Sequence, residues 1–209
     1  MTSTAELRDN YDVTDVPSVV AGSIKLGLIE TLLVLVFSLA SRFLGGVVES
    51  IVCGLIVVVG LAAVTMLPGL WTRPRTIEGI AGAAGIGLGA TAVFLLLDVM
   101  LLQNIGTYTN RWQEIGGGSN WWYHPVWWMV GTFLPWLGAW ILANQVDRKG
   151  RPDAVTGLIT VFGLAALVGL LAVLLGFPGA RWSVGTFAIA FLPALVLATI
   201  ISGIGNRRT

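Results

Sequence analysis

Apolar residues run along this chain in long, nearly unbroken stretches, and polar residues gather in short clusters between them. Six stretches reach the roughly 20 residues that a helix needs to cross about 30 Å of hydrocarbon. They cover 24–44, 47–71, 79–103, 125–146, 155–176 and 183–205. Turn-forming residues divide them: Gly45-Gly46, Arg73-Pro74-Arg75, the segment 104–124, Arg148 to Pro152, and Phe177-Pro178-Gly179. The pattern predicts an all-α integral membrane protein, a six-transmembrane-helix bundle with a Trp-rich outer loop between helices three and four. A single transmembrane domain over 24–205 stands between an acidic amino-terminal tail, 1–23, and a short carboxy-terminal tail, 206–209.

Charge gives this bundle an orientation. Short loops rich in Lys and Arg stay on the cytoplasmic side. In the six-helix arrangement Arg8, Lys25, Arg73, Arg75, Arg148, Lys149, Arg151, Arg207 and Arg208 share one side, and only Arg42, Arg111 and Arg181 fall on the other. Both termini are therefore expected in the cytoplasm. The acidic start, with Glu6, Asp9, Asp12 and Asp15, lacks the basic segment of a cleaved signal. With 56% hydrophobic and 11% charged residues, the chain lies far below the roughly 25% charge of a soluble domain. Arg outnumbers Lys, which occurs only at Lys25 and Lys149, and Ala, Gly, Val and Leu dominate. That usage points to a bacterial inner (plasma) membrane.

Composition also removes several functions. A net charge of +1 offers no clustered basic face for nucleic acid. Cys53 is the only cysteine, so no internal disulfide can form and no cysteine-based metal site is expected. His124 is the only histidine. It could serve as an axial ligand to haem or a chlorin metal, but di-histidine ligation cannot be built within the chain. No metal site is expected, and no cofactor is required, although a lipid or apolar pigment between helices is compatible with the composition. Serine and threonine nucleophiles lack the partners of a hydrolase triad, so no catalytic residue is assigned.

Ionisable and polar groups inside the spans are the first candidates for function, because the bilayer makes them expensive. Glu30 lies about 9 Å beyond the start of the first apolar run at 1.5 Å per residue, which suggests the inner leaflet. Asp98 is expected near the outer end of helix three, where Phe94, Leu95, Leu101 and Leu102 offer it no partner. Gly87, Thr91 and Asp98 share one side of that helix, the side that would line a polar path. Thr132, Trp136, Trp140 and Asn144 form a stripe with hydrogen-bonding capacity along helix four. Glu49 stands near Arg42 across the first outer turn as an ion-pair candidate.

Two further patterns concern packing and docking. Gly82, Gly85 and Gly89 recur at small-residue spacing, which lets a second helix approach closely. Together with Gly79 and Gly87 they superficially resemble a dinucleotide fingerprint, but the strand and phosphate-facing turn that chemistry needs do not exist within a span. Trp112, Trp121, Trp122, Tyr123, Trp127 and Trp128 cluster at the expected outer interface. Such rings form an aromatic belt at headgroup depth, or anchor a partner or ligand when ringed by polar groups.

These features lead to three expectations. The first is a non-catalytic accessory or scaffold subunit of a larger membrane complex, respiratory or photosynthetic, docking through the Trp-rich loop and the small-residue faces. Its partners would be membrane lipids and other membrane-protein subunits. The alternative is a small transporter or channel with a polar path involving Asp98 and Glu30. Third comes a membrane enzyme acting on a lipid at the outer face, disfavoured by the thin supply of acids, bases and metal ligands.

Overall fold

The computed structural model describes residues 13–108, 123–145 and 152–205. Its regular structure is helical throughout: α1 (Val16–Phe43), α2 (Gly46–Thr72), α3 (Ile77–Leu97) continued by a π-helical turn (Asp98–Leu102), α4 (Tyr123–Asn144), α5 (Ala154–Leu174) and α6 (Val184–Gly205). Among the described residues, five of the six helices are long and apolar enough to cross a membrane. The sixth is α4. Large apolar side chains face outward on every side, including Leu55 on α2 at 59% exposed, Ile159 on α5 at 68% and Ile189 on α6 at 72%. Apolar surface on that scale is stable in lipid.

The first helix differs from its expected bounds. It begins at Val16, eight residues before the apolar run at 24, so the acidic tail is shorter than 1–23. Two local features start it there. The Asp15 side chain caps the helix by accepting from the Ser18 backbone N–H at 3.1 Å, which satisfies one of the free amides of the first turn. Pro17, in that first turn, needs no intrahelical donor. Packing then holds the extension in place, because Gly22 and Ser23 are buried and Gly22 lies against Ile86 of α3. Just before α1, the Val13 N–H donates to the Thr72 carbonyl at the end of α2 (2.9 Å).

Turns close as their residues dictate. Gly46, with φ of +63°, reverses the chain between α1 and α2, a conformation without steric cost only for glycine. The C-cap of α2 is Arg73 in the left-handed region, its N–H donating to Gly69 (2.9 Å). Pro74 follows and prevents the helix from continuing. On α5, Asp153 accepts from the Thr156 N–H (3.0 Å) and from its hydroxyl (2.6 Å). Those bonds stabilise the charged carboxylate and lower its pKa below the ordinary value.

Helix α4 is the hub. It packs on α2, α3 and α6, while α1 packs chiefly on α3 and then α2, and α5 pairs with α6. One core joins Leu134, Leu137 and Ile141 of α4 to Val161 of α5 and Phe191 and Leu195 of α6. A second places Leu26 of α1 against Ile86 and Ala90 of α3. Helices α2 and α6 touch only lightly.

Close crossings depend on glycine. At Gly87 an added Cβ would strike the Gly131 carbonyl and the Pro135 ring. Pro135 lacks the N–H that would have bonded that carbonyl four residues earlier, so the freed oxygen projects toward α3, where only a glycine leaves room. At Gly138 an added Cβ would strike the Thr65 carbonyl of α2.

Candidate functional site

Between α1, α2, α4 and α6 lies a partly open cavity of about 340 Å³. Leu33 and Phe37 from α1, Val57 and Val64 from α2, Trp127 and Leu134 from α4 and Ala188 from α6 are among its walls. All four helices contribute apolar side chains or glycines, and the one charged group among the described lining residues is Glu30. Glu30 is only 4% exposed, and its Oε2 atom has no hydrogen-bond partner among the described residues.

Its place along the helix differs from the sequence expectation, which counted from the start of the apolar run at 24. With α1 running from Val16 to Phe43, Glu30 lies about 20 Å from either end of the helix at 1.5 Å per residue. The carboxyl therefore sits at mid-helix, level with Gly60 midway along α2. From there the cavity extends toward the first turns of α4 and α6, as Trp127 and Gly185 among its walls require. That end of the bundle carries the α1–α2 turn.

Asp98 presents a different environment. It is fully buried and opens the π-helical turn, where the Gln103 N–H donates to the Asp98 carbonyl across five residues (2.9 Å). The wider turn brings the Gln103 side chain back over the carboxyl, and its amide donates to Oδ2 at 2.7 Å. The Tyr108 hydroxyl donates to Oδ1. The expectation that Asp98 lacks a local partner is thus overturned, because Gln103 and Tyr108 come from residues that a regular α-helical continuation would have carried elsewhere. Nearby bonds fasten the same segment to α1: Ser38 Oγ donates to the Thr107 carbonyl and Arg42 to the Gly106 carbonyl, each at 2.5 Å. Arg42 thus reaches the Gly106 carbonyl.

The remaining polar candidates do not join Glu30. Thr91 is buried and donates to its own helix at Gly87 (3.0 Å), and its hydroxyl abuts Gly131 of α4. The face carrying Gly87 and Thr91 is filled by Gly131 and Pro135 of α4. Asn144 donates to Trp140 of its own helix (3.0 Å). Trp136 and Trp140, edge-to-face at 5.9 Å, pack beside Ile80 and Ala83 of α3. Trp127, in the cavity wall, meets Phe94 of α3, one turn before Asp98, with ring centroids 4.6 Å apart.

Gly82 faces Thr14, just before α1, and Gly85 and Gly89 face Val19 and Ser23 in its first turns, where an added Cβ would crowd Thr14 and Ser23. Of the tryptophan cluster, Trp127 lines the cavity and Trp128 is 40% exposed. Trp112, Trp121 and Trp122 lie outside the described residues, as do the side chains of Tyr123 and His124 at the start of α4. Among the described residues no three His, Cys, Asp or Glu side chains gather as a metal site would require.

Two features had no signature in the sequence. Gln103 and Tyr108, at i+5 and i+10 from Asp98, match no α-helical spacing, and the cavity arises from four separate helices. The fold and site together define a multi-pass helical membrane architecture with an internal apolar site. Comparisons with protein-family models, with curated proteins and with solved structures find no match to this chain.

Proposed function

We propose that the chain is a small carrier of a bacterial plasma membrane, with six spans and both termini in the cytoplasm, and that Glu30 is its working group. The observation behind this reading is the Glu30 carboxyl, buried at mid-helix with an unpartnered oxygen in an apolar cavity. Burying a polar group without a compensating hydrogen bond costs several kcal/mol by order of magnitude, and an isolated charge costs more. Intramembrane carboxyls that face a cavity mark ion and substrate pathways. The polar path expected through Asp98 is replaced by a site at Glu30 alone. The nine-to-three distribution of basic residues supports the orientation, and Pro135 and Pro193 supply breaks in α4 and α6 of the kind that moving helices use. Light contact between α2 and α6 leaves the α5–α6 hairpin free to shift against the cavity while α4 holds it.

The test uses the full chain in liposomes with a pH indicator trapped inside, challenged with a panel of organic cations, neutral amphiphiles and organic anions. At least one solute should move protons through wild type; Glu30→Gln should abolish that movement and Asp98→Asn should retain it. A panel that moves no protons through wild type, or an active Glu30→Gln, would reject the carrier. The accessory-subunit expectation depends on a loop whose residues 109–122 lie outside the described structure. A stoichiometric larger assembly in a mild-detergent extract would replace the carrier with that reading.

A further inference from the structure

We infer that the occupant of the Glu30 cavity is an amphipathic organic monocation, with its apolar body between α1, α2, α4 and α6 and its charge against the Glu30 carboxylate. The inference deepens the carrier reading and rests on it for the site, while ligand binding itself is measured without transport.

The shape and chemistry of the space select this class. A volume of about 340 Å³ falls within the roughly 300–1,000 Å³ of small-molecule sites. Water is a poor occupant, since each buried molecule needs two to four polar partners and the described walls offer a single carboxyl. An inorganic cation needs a shell of oxygens, about six to eight for calcium, which this cavity cannot provide. An anion would find no cationic side chain among the described lining residues and would face the carboxyl. A lipid acyl chain fills the space but leaves Glu30 without a partner. One carboxylate neutralises one positive charge, so a dication would carry an unpaired charge into an apolar region. The rings of Trp127 and Phe37 line the same cavity, and aromatic faces attract onium groups.

The same accounting couples the ligand to a proton. In the empty site no cationic side chain among the described lining residues neutralises Glu30, so a proton fills that role and loading by a cation releases it from the carboxyl. No other titratable side chain lines the cavity among the described residues of α1, α2, α4 and α6. On its other side α1 meets Ala90 and Val93 of α3 at Gly27, which are apolar. Lowering the pH therefore weakens cation binding, because protons compete for one acceptor.

The experiment is equilibrium dialysis of the purified full chain in mild detergent with tetraphenylphosphonium, and with tetraphenylborate, an anion of the same shape. Tetraphenylphosphonium should bind saturably with one site per chain, with affinity falling as pH is lowered. Glu30→Gln should reduce its affinity about 100-fold, the scale of losing one partner of a buried charge pair. Glu30→Asp should retain pH-dependent binding. Tetraphenylborate should not bind. Equal binding of the two ions by wild type, a comparison that needs no variant, overturns the inference, as does unchanged cation affinity in a folded Glu30→Gln. Dodecyltrimethylammonium distinguishes sources of the same chemistry: competition with tetraphenylphosphonium identifies a single-chain amphiphile as an acceptable ligand, and failure to compete restricts the class to compact cations. Cation binding without proton movement in liposomes upholds the ligand class and rejects the carrier. Proton movement with neutral or anionic solutes alone upholds the carrier and rejects the ligand class.

Discussion

Asp98 and Glu30 are both buried carboxyls in apolar helices, 0% and 4% exposed, and they meet the cost of burial in opposite ways. Asp98, at the start of the π-helical turn, accepts from the Tyr108 hydroxyl and the Gln103 amide, beside a segment clasped to α1 by Ser38 and Arg42. Glu30 has an unpartnered oxygen and a cavity in front of it. A buried polar group that is fully bonded rigidifies the structure around it, whereas an unbonded one stores an interaction for something absent. On the proposed reading the contrast separates a structural carboxyl from a binding one, although both meet the same criterion of an ionisable residue inside a span.

The largest effect expected from breaking this contrast is on the structural side. Asp98→Ala strands the Tyr108 hydroxyl and the Gln103 amide, so stability in detergent should fall by about 3 kcal/mol, the sum of two such penalties. Tetraphenylphosphonium binding by the folded fraction should persist; loss of binding at full stability would place Asp98 in the ligand site.

Glu30→Leu should act in the opposite direction. It removes an unsatisfied buried group and fills apolar space, so thermal or denaturant unfolding should show a gain of about 1–2 kcal/mol, accompanied by loss of cation binding. A destabilised Glu30→Leu would mean that the carboxyl holds the fold together.

Gly60→Leu tests the cavity without touching the carboxyl. An added Cβ there meets Leu33 at an ordinary 3.6 Å, so the helix crossing survives while the larger side chain occupies ligand space. Cation affinity should fall about tenfold or more by steric exclusion, with little change in melting temperature. Unaltered affinity would move the ligand out of this cavity.

The smallest effect belongs to the caps, which lie outside the contrast and serve as its control. Hydrogen bonding from Thr156 lowers the Asp153 carboxyl below its ordinary 3.8. Its stabilisation is therefore complete above that value and declines as pH falls from there through the lower folded value. Asp153→Ala should cause a slight loss of melting temperature at neutral pH and none in strong acid, with cation binding intact. A cap variant that altered binding would show that the end of the α4–α5 connection communicates with the site.

Much of the architecture was legible in the chain because span length and turn chemistry are local properties. The segments at 47–71, 79–103, 155–176 and 183–205 lie within three residues of helices α2, α3 with its π turn, α5 and α6. At α1 the apolar run marked only part of the helix, since Gly22 and Ser23 are buried by α3 rather than by their own hydrophobicity. The candidate site was legible as a short list of residue types and no further. Glu30, Asp98, Thr91 and Asn144 all read as polar groups in spans, and only packing assigned them different surroundings.

The sequence by itself determined the helical class, the apolar lengths suited to a bilayer and the turns between the described helices, because each depends on residues close together along the chain. Tertiary structure decided which polar groups found partners. A π turn closed Gln103 and Tyr108 over Asp98, a carbonyl freed by Pro135 seated itself on Gly87, and four helices left a cavity before Glu30. Those outcomes depend on the free energy of fitting side chains from distant segments into one volume, which spacing along a single chain does not encode.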